Sequence, residues 1–203
     1  EIPLRLVGSE MCIRDSGIMS LAAASNEDLA TTSDIVTDAL TAFGLKASDS
    51  GHFADVLAQA SANANTNVGM MGESFKYVAP VAGALKYSVE DVSLALGLMA
   101  NASVKGSMAG TSLKTSLANM AAPTDKMEAA MDKYGISLTK RNGEMKTMHE
   151  VLDNLRSSLG GLSETEQTAA ASTIFGKEAM AGMLAIINAS EAVSYTHLRA
   201  HET

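Results

Sequence analysis

Residues 88–102, SVEDVSLALGLMANA, decide the class of fold. A serine followed by two acids is the signature of a helix start. Val89, Val92, Leu96 and Met99 then recur at i, i+3, i+7 and i+10, which is the period of one helix face. The Glu90-Asp91 pair sits where negative charge complements the helix dipole, which accounts for it without any acid/base role. Downstream, residues 105–121, KGSMAGTSLKTSLANMA, are rich in small residues, and Gly106 with Gly110 permits close packing of two helices.

Working outward, the same kind of element repeats on both sides. Toward the C-terminus, Pro123 fits the first turn of a helix whose stripe is Met127, Ala130, Met131 and Tyr134, stopped by Gly135. Ile136, Ser137 and Leu138 alternate, and Asn142-Gly143 supplies a hairpin turn, so a small β-hairpin is expected over about 136–146. Thr147 with Glu150 and Ser163 with Glu166 read as capping boxes opening two further helices. The first carries Met148, Val151, Leu152, Leu155 and Leu159 on one face and ends at Gly160-Gly161. A last helix starts near Lys177.

Toward the N-terminus, Ser25 is the expected N-cap of a helix ending at Gly44, with Leu29, Ile35, Val36, Leu40 and Phe43 sharing much of one face. Gly51 precedes a helix carrying Phe53, Val56, Leu57 and Ala60. In residues 68–87, Pro80 should kink or break the helix. The expected fold is therefore all-α: an array of short amphipathic helices with one small β-hairpin near 136–146. Glycines and prolines interrupt every ten to twenty residues, so a sustained coiled coil is not expected.

The 203 residues carry 46% hydrophobic side chains, only 4% aromatics and no tryptophan. The core must be aliphatic, with thirteen methionines to fill it. A methionine stripe is also a candidate partner-binding surface, though core packing accounts for it more simply. The net charge of −8, without a basic cluster, argues against specific nucleic-acid binding. A single cysteine, Cys12, excludes an intrachain disulfide and a cysteine zinc site. The longest pure apolar run, residues 179–187, is too short for a transmembrane helix.

Chemistry-bearing patterns are sparse. His197, His201 and Glu202 have a spacing that on a helix can hold zinc. Residues 1–16, EIPLRLVGSEMCIRDS, and the C-terminal VSYTHLRAHET nevertheless resemble translated sequencing-adapter DNA. All ten lysines lie between Lys46 and Lys177, while Arg5, Arg14 and Arg199 lie in these ends. Residues 1–16 and 194–203 are therefore expected to be non-native flanks, and residues 17–193 the helical domain. His52 and His149 read as polar residues of first helical turns, and the Glu164/Glu166 pair as capping acids. The run KGSMAGTS lacks the Gly-Lys-Ser/Thr order of a phosphate loop. No catalytic, cofactor-binding or metal-ligating residue is assigned, and the chain is expected not to be an enzyme.

The order of elements carries a resemblance. Met99–Ala102, the pair Gly106 and Gly110, Pro123-Thr124, Gly135-Ile136, and Ile174-Phe175-Gly176 followed by Ala179 and Gly182 together resemble the core region of phage tail tape measure proteins, over about residues 20–193. Ser103-Val104 departs from that pattern, which has glycine followed by leucine or isoleucine. The resemblance implies a structural virion or prophage component that takes part in tail assembly and determines tail length. It implies several copies in the lumen of the tail tube, contacts with tube subunits and assembly chaperones, release during DNA ejection, and residence in the host cytoplasm during assembly. The alternatives are a helical adaptor or export-type module with a Met-rich partner-binding face, and a metal-dependent hydrolase using His197 and His201.

Overall fold

The computed structural model describes residues 17–189. They form ten α-helices: α1 (17–25), α2 (Leu29–Phe43), α3 (Ser50–Asn63), α4 (Val68–Ala84), α5 (Val89–Asn101), α6 (Gly106–Ala121), α7 (Asp125–Tyr134), α8 (Met148–Leu159), α9 (Glu164–Phe175) and α10 (Met180–Ile187). A 3-10 turn, Ala47–Asp49, leads into α3. The all-α reading stands, and no strand occurs among the described residues.

The hairpin is reduced to a single antiparallel bridge, Thr139 to Met145. Lys140 N–H donates to Glu144 O at 2.7 Å and Lys146 N–H to Leu138 O at 2.8 Å. Gly143 has φ +84° but Asn142 is not left-handed. The turn is thus a three-residue loop closed by a glycine bulge, not the two-residue form that Asn-Gly favours. Only Ile136 and Leu138 reach the core, too few to anchor a longer ladder.

α4 packs most extensively, with α2 on one side and α6 on the other. α3 and α5 lie against this row, and α10 is wedged among α5, α6, α8 and α9. Small residues allow the close approaches. A Cβ on Gly72 would lie 2.4 Å from Ile35 of α2, and one on Gly83 would lie 2.4 Å from Ala42 O. On the other side, a Cβ on Gly110 would lie 2.3 Å from Ser74 O. α5 is the central helix, with every residue from Val92 to Ala100 buried. The aromatic centre is a pair of edge-on contacts, Phe53–Phe75 at 5.5 Å and Phe43–Phe75 at 6.0 Å between centroids.

Four local expectations are corrected. Ser25 does not open α2: its hydroxyl donates back to Leu21 O at 2.7 Å and closes α1. Asp28 is the N-cap instead, accepting from Thr31 N–H at 3.0 Å. Leu29, placed on the buried face by sequence, is 50% exposed because it falls in the first turn before α2 meets the core. Pro80 does not break α4, which continues to Ala84. Its ring lies on the exposed face of a helix held from both sides, so the carbonyl it leaves without a donor is Lys76's, at an exposed residue. Pro123 precedes the cap Thr124 and so lies just outside α7.

Four helices end in the same way. After α2, α4, α5 and α7 a left-handed residue follows: Gly44, Lys86, Ser103 and Gly135, with φ between +63° and +67°. The next N–H reaches back to the helix: Leu45 to Leu40 O, Tyr87 to Ala82 O, Val104 to Met99 O, and Ile136 to Met131 O. These are Schellman closures, and the apolar residue after each left-handed one packs into or against the core.

Candidate functional site

Several ionisable side chains hold helix ends. His52, in the exposed first turn of α3, has Nε2 2.5 Å from Glu90 Oε1 at the start of α5. Burial pushes the Glu90 carboxyl up. Its own backbone N–H, His52 and Ser88 more than offset this, so it lies below the usual glutamate range. His149 Nε2 sits 3.1 Å from Asp153 Oδ2, one turn along α8. Arg156 Nη1 lies 3.5 Å from the other oxygen of Asp153, and its Nε donates to Ile186 O at 3.2 Å, tying α8 to the last turn of α10. The two histidines are paired with different carboxylates on different helices.

Asp91, Glu150 and Glu166 close capping boxes, while Glu164 lies in the first turn of α9 without capping it. Asp91 completes the box with Ser88, and its Oδ1 also accepts from Met148 N–H at 3.2 Å, joining the starts of α5 and α8. That second contact left no mark in the sequence, because it spans 57 positions. Glu150 accepts from Thr147 N–H and pairs with Lys140 Nζ at 2.9 Å, fastening the hairpin to α8. The Lys140 hydrogen bond and then the Thr147 backbone hold the Glu150 carboxyl below its usual range. The Ser163 hydroxyl and backbone do the same for Glu166. Tyr87 lies buried beside Asp91, and burial followed by that negative charge pushes its phenol up to about 12.

The loop-like run around Lys105 is a helix contact. The Ser74 hydroxyl donates to both Gly106 O, at 2.8 Å, and Met70 O, at 3.0 Å. Gly182, in the stretch after Ile174-Phe175-Gly176, faces Ser112 and the Met99 sulfur, where a Cβ would lie 2.8 and 3.1 Å away. An amide pair, the buried Gln167 with the exposed Asn188, joins α9 to the end of α10 at 3.1 Å in both directions.

The surface between α5 and α10 forms an apolar groove of about 520 Å³, with Leu98, Val104, Leu184 and Ala185 in its wall and no ionisable side chain among its lining residues. Methionines mostly fill the interior: Met71, Met99, Met120, Met131, Met148 and Met183 are buried, while the exposed Met19, Met70, Met108 and Met145 are spread over α1, α4, α6 and the hairpin. Among the described residues no group of three His, Cys, Asp or Glu is placed to hold a metal ion. Cys12, His197, His201 and Glu202 lie outside the described residues. None of the described helices is long and apolar enough to cross a membrane.

The elements from α1 through α9, with their caps and glycine contacts, are the region that the profile of the phage-related minor tail protein family matches, residues 16–176. The chain belongs to that family. It is 39% identical over 173 residues to a tape measure protein of Pneumococcus phage Dp-1, an alignment covering 85% of this chain and 15% of that protein. It is 25% identical over 174 residues to a probable tape measure protein of Escherichia phage P2, covering 85% of this chain and 21% of that one. The chain thus spans less than a quarter of the length of these curated relatives. No solved structure matches it significantly. The minor tail family and both relatives agree with the tape measure resemblance read from the glycine, proline and Ile-Phe-Gly positions, and they mark the chain as a phage tail protein of the virion.

Proposed function

We propose that residues 17–193 are a segment of a tape measure protein that helps determine tail length, and that residues 1–16 and 194–203 are non-native flanks. The observation that carries this is the 39% identity to the Dp-1 tape measure protein across 85% of the chain. In this reading the segment is structural and non-enzymatic. Several copies lie in the lumen of the growing tube, contacting tube subunits and assembly chaperones, and leave during DNA ejection. The host cytoplasm is where assembly takes place. Capped helix ends and glycine contacts suit this role, since they use the polar groups for architecture.

The test is an in-frame deletion of residues 68–121 in the parent gene, with tail length measured by electron microscopy. Helix rises about 1.5 Å per residue, so tails should shorten by about 80 Å if this segment is helical along the tube. Normal tails of unchanged length would remove the ruler role from the segment.

A further inference from the structure

α10 reads MAGMLAII, eight residues without a polar side chain. A helix that is apolar on every side belongs in an interior. One side of α10 is there: Gly182, Met183, Ile186 and Ile187 are buried. The other side is not. Ala181, Leu184 and Ala185, with Asn188 a turn further on, fall at i, i+3, i+4 and i+7 and line the groove of about 520 Å³ shared with α5. Ala181 is exposed, and Leu184 and Ala185 are half-buried. Leu98, Ala102 and Val104 line the groove from the end of α5.

The chemistry of this groove asks for an apolar occupant. Hollows beside α1, α2 and α9 each carry ionisable side chains: Asp55, Asp38 with Lys76, and Glu164 with Lys177. The groove beside α10 carries none. Its polar lining residues are engaged within the protein. Asn101 Oδ1 accepts from Asn65 N–H at 2.9 Å, and the Asn188 amide is paired in both directions with Gln167. A charged or polar partner would lose its hydration here and find little in return.

The path of the chain names the occupant. α10 ends at Ile187, and the next two residues, Asn188 and Ala189, themselves line the groove. The amide pair with Gln167 fixes that exit point against α9. Ser190-Glu191 follows, a serine and an acid in the order that opens a helix. Two helices joined by so short a turn lie side by side and antiparallel. A segment tethered at the edge of the groove also meets it at a high effective concentration.

We infer that in the parent protein the chain turns back at Asn188-Ala189 and lays a further amphipathic helix, opened by Ser190, with its apolar face in the groove between α5 and α10. This rests on the reading of residues 17–193 as a segment of a longer tape measure protein, followed here by a non-native flank. The relatives, of which the chain spans less than a quarter, have the length to supply such a helix. The helical unit then extends well past residue 176, where the match to the family profile ends.

Two measurements on the parent protein, otherwise free of reactive thiols, test this. Ala185→Cys lies on the groove wall, and Ala118→Cys, at an exposed position of α6, is its control. A covered site reacts only when it opens, so Ala185→Cys should react with maleimide about tenfold or more slowly than Ala118→Cys. Equal rates would show an uncovered groove and overturn the inference. Ala102→Cys, exposed at the groove's rim, carries a benzophenone for photocrosslinking. Its adduct should map by mass spectrometry to the first helix length after Ala189, about 12 residues, in a chain that still migrates as a monomer. An adduct to a second copy or to another protein gives the groove a different occupant, and so overturns the inference while leaving the tape measure reading intact. A parent gene that stops at Thr203 with both ends unchanged defeats that reading as well.

Discussion

Ser103 occupies a left-handed backbone site, φ +67°, at the Schellman closure of α5. It is also the position where the family resemblance calls for glycine. A non-glycine residue there costs about 1–2 kcal/mol, partly offset by the greater freedom glycine has in the unfolded chain. Ser103→Gly should therefore raise stability by about 0.5–1 kcal/mol, read as a higher denaturant midpoint with an unchanged slope. Lys86→Gly should act similarly. Tyr87 offers a different test, because its buried hydroxyl has no hydrogen-bond partner among the described residues. Tyr87→Phe should leave stability at neutral pH unchanged or raise it by about 1 kcal/mol. Its raised pKa favours the protonated form in the folded state. The contribution is present below the unfolded value of 10.0 and is lost as pH rises through about 12. At ~1.4 kcal/mol per pKa unit, wild type should lose about 2–3 kcal/mol more than Tyr87→Phe across that window, measured by unfolding at pH 9 and pH 12. Gly44 and Gly135 could be read from sequence because glycine announces a left-handed site. Lys86 and Ser103 could not be read from propensity, since their conformation is imposed by the apolar residues Tyr87 and Val104 turning into the core.

Elements were legible where their signals are local. The boxes Thr147/Glu150 and Ser163/Glu166 each close within four residues, and the stripe of α8 is buried at all five positions read from its spacing. Reading failed where a neighbour decides. Ser25 has the right chemistry to cap α2, but α1 runs into it first and claims its hydroxyl. Pro80 is tolerated because α2 and α6 grip α4 on either side. That grip can be tested at Gly110. Alanine in a helix interior is favoured over glycine by about 1 kcal/mol. A Cβ here would lie 2.3 Å from Ser74 O and 2.9 Å from Ser74 Cα, and backbone cannot rotate aside. Overpacking of this kind costs about 1–3 kcal/mol. Gly110→Ala should thus be destabilising by about 1–2 kcal/mol in thermal unfolding, while Gly161→Ala, with nothing within 4 Å of its Cβ, should be close to neutral.

At the scale of the molecule, one core cluster runs from Ile18 to Ile187, and its aliphatic, methionine-filled character followed from composition. Which helices adjoin did not follow, because contacts such as Asp91 to Met148 or Asn119 to Phe175 O join positions more than fifty residues apart. Many of the described polar groups cap helices or tie one helix to another. The left-handed joints at Lys86 and Ser103 turn the chain from α4 into α5 and from α5 into α6, so both belong to the compact core. The combined Lys86→Gly, Ser103→Gly variant relieves both joints at once and should unfold at a denaturant midpoint above either single variant, with an unchanged slope. A midpoint no higher than wild type would show that the packing of Tyr87 and Val104 already compensates the left-handed backbone at both joints.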